Sequence, residues 1–208
     1  MDPAFWKSRW AEGKIGFHEG APNAYLVKHH DKLATYPRVL VPMCGKAEDL
    51  AYLAARGHDV VGIELAADAI DQFFAEHAIT PAVSDRAGLR VYEAGAITLL
   101  AGDFFATTRE SVGSIEGVYD RGAIVALPPD MHARYATHLR ALAPALKRQL
   151  LIAIEYPPGA YDGPPFTVTV DELRALYPDA AIELVDQGRD PRNRADGKMF
   201  EFCYDLRF

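Results

Sequence analysis

The chain has 208 residues, half of them hydrophobic and a quarter charged, the balance of one folded globular unit with a single sizeable core. Its 16 glycines and 14 prolines are scattered, and aromatic residues make up 11%, which excludes collagen-like, low-complexity and disordered chains. A net charge of −7 without any run of five basic residues removes the footprint of a nucleic-acid or membrane-surface binder, so a small-molecule partner is expected.

The N-terminal residues Met1 to Lys7 have neither a basic nor an apolar targeting region, and no apolar stretch approaches a membrane span. Two cysteines, Cys44 and Cys203, are too few for a disulfide framework and lack metal-ligand spacing, which fits a reducing compartment. The expectation is a cytoplasmic monomer without a metal.

From Tyr36 onward, short β-branched runs alternate with segments of helical period, the pattern of βαβ units and a parallel sheet. Arg38 to Pro42 reads as the first strand, followed by a helix from Ala47 to Arg56 that Gly57 ends. Asp59 to Glu64 is a near-continuous apolar strand of the kind buried on both faces, and Ala67 to His77 a helix presenting Ile70, Phe73 and Phe74 inward. Ile79 to Ala87 is a polar insertion without a period. Arg90 to Glu93 and Ala96 to Leu100 flank Gly95 as a hairpin whose second arm enters the main sheet. Ile115 to Asp120 is a further strand, Pro128-Pro129-Asp130 opens a helix to Leu142, and Gln149 to Glu155 is a strand. A proline-rich loop spans Tyr156 to Phe166. A helix from Val170 to Leu176 and two strands, Ala181 to Val185 and Phe200 to Leu206, close the chain. No repeat or linker divides it, so one domain is expected over residues 1–208, with a helical segment over 1–35 and a sheet core over 36–208.

In an open parallel sheet the ligand lies beyond the carboxyl ends of the strands. The first strand runs into Pro42-Met43-Cys44-Gly45-Lys46, where Gly45 stands alone, so the G-x-G-x-x-G cradle for a pyrophosphate is missing. No Walker loop occurs either. Glu64, nineteen residues after Gly45, ends the second strand where a carboxylate accepts hydrogen bonds from a ribose diol; the alternative is a solvated strand end. A nucleoside without a pyrophosphate suits such a site. S-adenosylmethionine meets that description, and an acidic rim of Glu64 and Asp103 suits its ribose and its positive charge.

Five segments, Val41-Pro42-Met43-Cys44-Gly45-Lys46, Gly57 to Glu64, Gly102-Asp103-Phe104-Phe105, Tyr119-Asp120-Arg121-Gly122-Ala123 and Gly163-Pro164-Pro165-Phe166, resemble the successive motifs of the thiopurine S-methyltransferase family. So does Trp6-x-x-x-Trp10-x-x-Gly13-x-x-Gly16-Phe17-His18 near the N-terminus. The resemblance covers nearly the whole chain in order. Met43, where the family usually has leucine, is a volume-conserving swap. The insertion Ile79 to Ala87 and the polar tail Arg189 to Gly197 are less family-like and bear on the identity of the acceptor.

The resemblance implies an α/β, Rossmann-like class I methyltransferase fold: a mostly parallel seven-stranded sheet, helices on both faces and an antiparallel C-terminal strand. It implies an S-adenosylmethionine-dependent S-methyltransferase acting on small, aromatic or heterocyclic thiols, with selenium or tellurium compounds as possible acceptors. The implied cofactor-binding positions are Trp6, Trp10, Phe17, Met43, Gly45, Glu64, Asp103, Phe104 and Arg121. Phe17, Arg121, Pro165 and Arg192 are implied at the acceptor, with Arg121 and His18 as catalytic candidates; Arg189 and Arg194 compete with Arg192 for its place. Each has a plainer reading: Trp6 and Trp10, one helical turn apart, as packing residues, Met43 and Phe104 as core, and Arg121 as the partner of Asp120. Two other functions remain open, a non-catalytic sensor of the same cofactor and a nicotinamide-dependent oxidoreductase. His29-His30-Asp31 reads as a solvated helix end rather than a metal site, and the scatter of Glu12, Glu19 and Asp31 shows no acid/base pairing.

Overall fold

The computed structural model describes residues 3–208, so the first two residues of the expected N-terminal segment lie outside it. Two helices precede the sheet, α1 (Pro3–Ala11) and α2 (Ala24–His29), the second capped by the Asn23 side chain accepting from Tyr25 N. Then follow β1 (Arg38–Pro42), α3 (Glu48–Ala55), β2 (Asp59–Glu64) and α4 (Ala67–Glu76). Next come β3 (Ala82–Arg86), β4 (Leu89–Ala94), β5 (Ile97–Ala101), α5 (Arg109–Val112) and β6 (Gly117–Arg121). The remainder is α6 (Pro129–Leu142), β7 (Arg148–Glu155), α7 (Val170–Leu176), β8 (Ala181–Arg189) and β9 (Phe200–Arg207).

All the strands join one sheet in the order β3-β4-β5-β2-β1-β6-β7-β9-β8. The centre, from β5 to β7, is parallel; β4 pairs antiparallel with β5, and β9 lies antiparallel between β7 and β8. Nine strands replace the expected seven. The first arm of the hairpin extends the sheet beyond β5, and the polar insertion contributes β3. That strand is exposed at every residue, so no buried face imposes an alternation on its sequence. At the other edge, β8 runs on to Arg189 past a register shift between Leu184 and Asp186, which breaks the period at Val185, the expected end of the strand.

Alternation within the parallel strands feeds two cores. Val39, Val41, Leu150 and Ile152 pack under α2, α3 and α4 with Leu26, Leu50, Leu53, Ile70 and Phe73. Leu40, Val118, Leu151 and Ala153 face the other way, toward Tyr135, Leu139 and Leu142 of α6 and Leu173 of α7. Each fully buried leucine contributes about 1.5–3 kcal/mol relative to an exposed one, which fixes the register of the central strands and the height of the loops at their carboxyl ends. Gly62 lies in mid-strand because an added Cβ would come within 2.7 Å of Cys44 Sγ and 2.6 Å of Leu99 Cδ2. That close approach, with Cys44 N donating to Ile63 O at 3.0 Å, anchors the loop after β1 against the neighbouring strand.

Candidate active site

The loops at the carboxyl ends of β1, β2, β5 and β6, the segment after α1 and the tail between β8 and β9 enclose a cavity of about 710 Å³. This lies within the usual range for small-molecule sites, roughly 300–1,000 Å³. Every implied site residue lines it: Trp6, Trp10, Phe17, His18, Met43, Gly45, Glu64, Asp103, Phe104, Arg121, Pro165 and Arg192.

At one end, the chain leaves β1 through Met43 (φ 48°) and Gly45 (φ 55°), both left-handed. This tight turn brings Gly45 N to 2.8 Å from Glu64 Oε2, while Ala66 N donates to Glu64 Oε1, also at 2.8 Å. Burial pushes the Glu64 carboxyl above its ordinary value, opposed by these backbone donors. The Leu65 N–H also acts on this carboxyl; a carboxylate has about four acceptor positions, so capacity for a ligand remains but is limited. The reading of Glu64 as a solvated strand end is not met, since the residue is buried. Lys46, also buried, donates to Glu76 Oε1 at 2.5 Å and ties the same loop to α4.

The aromatic wall comes from the N-terminal segment. Trp10 is buried against Ala66 and Ala69, and its ring lies so close to Gly45 that an added Cβ there would meet it at 3.0 Å. Phe17 stands edge-on to Trp6 (5.6 Å) and Trp10 (5.5 Å). The two tryptophans therefore pack, as their spacing suggests, and what they pack on is the cavity and its loops. Phe104 likewise serves both readings, stacking on Tyr135 at 5.1 Å while lining the cavity. Asp103 is exposed and its Oδ1 accepts from Phe105 N, capping the short turn after β5.

Arg121 ends β6, and its neighbour Asp120 points to the opposite face. There Asp120 accepts from Tyr135 Oη at 2.7 Å, Gln149 Nε2 and Ile124 N, and burial pushes its carboxyl up to about 6. Asp120 is thus not the partner of Arg121. Instead Arg121 Nη2 donates to Phe17 O (3.2 Å) and pairs with Glu19 Oε1 at 2.5 Å. Of the three tail arginines, Arg192 reaches the same place, donating through Nη2 to Phe17 O and to Glu19 Oε1. Arg194 also lines the cavity but is held by Asp190 through two side-chain bonds of 2.9 Å, whereas Arg189 does not line it and donates to Gly197 O. Glu19 went unassigned in the sequence because its partners lie 102 and 173 residues away and no local period marks it.

His18 lines the cavity, and burial together with Lys46 lowers its pKa, which makes it a weaker base than a free imidazole. The adjacent His29 and His30 diverge: His29 pairs with Asp186 and His30 with His58. Among the described residues no cluster of three His, Cys, Asp or Glu side chains is placed to hold a metal. Burial pushes the Cys44 thiol well up, which suits a packing residue rather than a nucleophile.

The strand order, the helices on both faces and the acid at the end of β2 define a class I S-adenosylmethionine-dependent methyltransferase. Solved structures agree in fold. A Burkholderia thailandensis 1,6-didemethyltoxoflavin-N1-methyltransferase crystallised with S-adenosylhomocysteine aligns at a TM-score of 0.66 and 18% identity, over 99% of this chain and 86% of that one. A magnesium protoporphyrin IX methyltransferase from Synechocystis, also with S-adenosylhomocysteine, aligns at 0.64 and 14% identity over the whole of both chains. The family model described as Thiopurine S-methyltransferase (TPMT) matches residues 1–199. The thiopurine S-methyltransferase of Pseudomonas paraeruginosa is 48% identical over 179 residues, 85% of this chain and 82% of that protein. That of Azotobacter vinelandii is 44% identical over 178 residues, with the same shares. The chain belongs to the thiopurine S-methyltransferase family, and its cofactor is S-adenosylmethionine.

Proposed function

We propose that this methyltransferase acts on small aromatic or heterocyclic thiols, selenium and tellurium compounds being further candidates. The observation that carries the reading is the acceptor end of the cavity, which offers guanidinium donors and aromatic walls but only a weakened base. Arg121 does not deprotonate, Glu19 and Glu201 face arginines, and His18 is made less basic by burial and Lys46. An acceptor that loses its own proton near neutral pH needs no more than this. Thiols and selenols ionise there; alcohols do not.

The residues present fit the cofactor. Glu64 keeps acceptor capacity for a ribose hydroxyl, the Gly45 turn leaves no pyrophosphate cradle, and a cavity of about 710 Å³ falls in the range that takes small molecules. When bound, the cofactor supplies a methyl group already activated on a sulfonium. Glu64, Met43, Gly45, Asp103 and Phe104 hold and orient it in this reading, with Trp6, Trp10 and Phe17 as a lid segment that excludes water. Arg121 keeps the acceptor anionic, its pairings with Glu19 and Phe17 using only Nη2. Phe17, Pro165 and Arg192 bound the acceptor, and His18 accepts a proton only from acceptors that stay protonated at neutral pH. A radiolabelled methyl-transfer screen over thiols, selenols and tellurite tests the proposal; turnover confined to oxygen or nitrogen acceptors would overturn it.

The same site predicts a pH dependence. The ionised form of Glu64 accepts from the ribose, and burial raises its pKa, so cofactor affinity should fall on acidification sooner than an ordinary carboxylate would dictate. Calorimetric titration with S-adenosylhomocysteine, repeated downward from neutral pH, should show this loss, and Glu64→Gln should flatten it. An equal loss in the variant would assign the effect to another group.

A further inference from the structure

The acceptor end contains an acid that the chemistry above does not use. Glu19 does not line the cavity, yet its Oε1 pairs with Nη2 of both Arg121 and Arg192. Its other oxygen, Oε2, accepts from Asn23 Nδ2 at 3.2 Å, and Asn23 is itself fixed by donating its backbone N–H to Asp49 Oδ1 at 2.7 Å. Arg192 also faces Asp190 at 3.5 Å and Glu201 at 3.9 Å, and Arg194 is paired with Asp190. Three guanidiniums thus meet three carboxylates, with Asp49 acting on Arg121 as a fourth acid.

We propose that Glu19 sets the charge of the acceptor end: one carboxylate shared between Arg121 and Arg192 from outside the cavity offsets part of their charge, leaving enough for the reacting atom and disfavouring acceptors that carry a second, permanent negative group. This rests on the thiol reading and refines it. Two arginines converging on one oxygen are the arrangement that otherwise seats a ligand carboxylate. Here the chain supplies that carboxylate itself, so once the reacting atom is held, a second anion on the acceptor finds little positive charge left unmatched. The position of the guanidiniums does not depend on Glu19 alone, because each also donates to Phe17 O. Removing the charge of Glu19 therefore alters the potential in the cavity more than its shape.

The test is binding without turnover. Protein saturated with S-adenosylhomocysteine, which has no methyl to give, is titrated with thiophenol and with 2-mercaptobenzoate. Glu19→Gln should raise affinity for the mercaptobenzoate at least about tenfold relative to thiophenol, the scale of one charge at partly buried range. Glu19→Ala serves as a second variant if the glutamine protein does not fold, with the heat of S-adenosylhomocysteine binding as the check of folding. A purely structural role for Glu19 would weaken both ligands alike, and an unchanged ratio in both variants overturns the proposal. Thiophenol failing to bind the unaltered protein would overturn the thiol reading, whereas uptake of mercaptobenzoate by the variant would still report on Glu19.

Discussion

Replacing Arg121 by lysine is expected to slow methyl transfer to thiols, and most for the least acidic ones. Lysine keeps the charge but loses the planar fork, so a single nitrogen would have to serve Phe17 O, Glu19 and an acceptor sulfur, whereas the guanidinium meets the first two through Nη2 and has other N–H groups to offer. Thiols with pKa near about 8.5 gain most from a fixed cation, while thiols already anionic at neutral pH gain least. Arg121→Ala, which removes the donor altogether, should cost on the order of 100-fold in rate with an alkyl thiol, the scale of losing one preorganised donor to developing charge. Initial rates over thiols of graded pKa at saturating cofactor measure this. An equal deficit across the series would mean that Arg121 orients the cofactor. Support of Asp120 is not an available explanation, since Asp120 is satisfied from Tyr135 and Gln149 on the other face of the sheet.

Glu64→Gln should weaken S-adenosylhomocysteine binding by about 1–3 kcal/mol, roughly 5- to 150-fold, while the sheet stays folded. The upper end is expected, for a reason the structure supplies. Both oxygens of Glu64 already accept from backbone N–H groups of Gly45 and Ala66, and an amide NH₂ turned toward either would set donor against donor. The Gly45 turn would then shift, and with it the ring of Trp10. Calorimetry gives the affinity and a thermal melt the fold. Unchanged affinity in a folded variant would remove Glu64 from the cofactor site.

The parts of the molecule that were legible in the sequence are those where burial acts on consecutive residues. The strands β1, β2 and β7, covered on both faces, read as unbroken apolar runs, and the carboxyl ends of β1 and β2 place Gly45 and Glu64 without help from the rest of the chain. Helix α6 was marked by its prolines and α7 by its spacing. The edges were not legible. Exposed β3 has no face to write a period into, and the polar half of β8 is held by pairing with β9 rather than by a core. Helix α5, only four residues long, was missed for a similar reason.

Within the site, residues carried on strand ends were found by position. The tail arginines needed three dimensions to tell apart, because only the folded chain shows Arg192 beside Arg121 and Arg194 turned onto Asp190. Glu19 belongs with them: its role lies in contacts between the start and the end of the chain, and a local pattern cannot encode such contacts.

The central claim is that the site transfers a methyl group to an acceptor that ionises itself, with arginine rather than a base as its aid. The most direct test compares thiophenol and phenol, two acceptors of one ring shape, as substrates at saturating S-adenosylmethionine and neutral pH. The expected result is methylation at sulfur, with the rate at the phenol oxygen lower by at least about 100-fold, the lower end of what a positioned general base contributes. A comparable rate at the phenol oxygen would mean that a base such as His18 does the work here assigned to ionisation of the acceptor, and would contradict the claim.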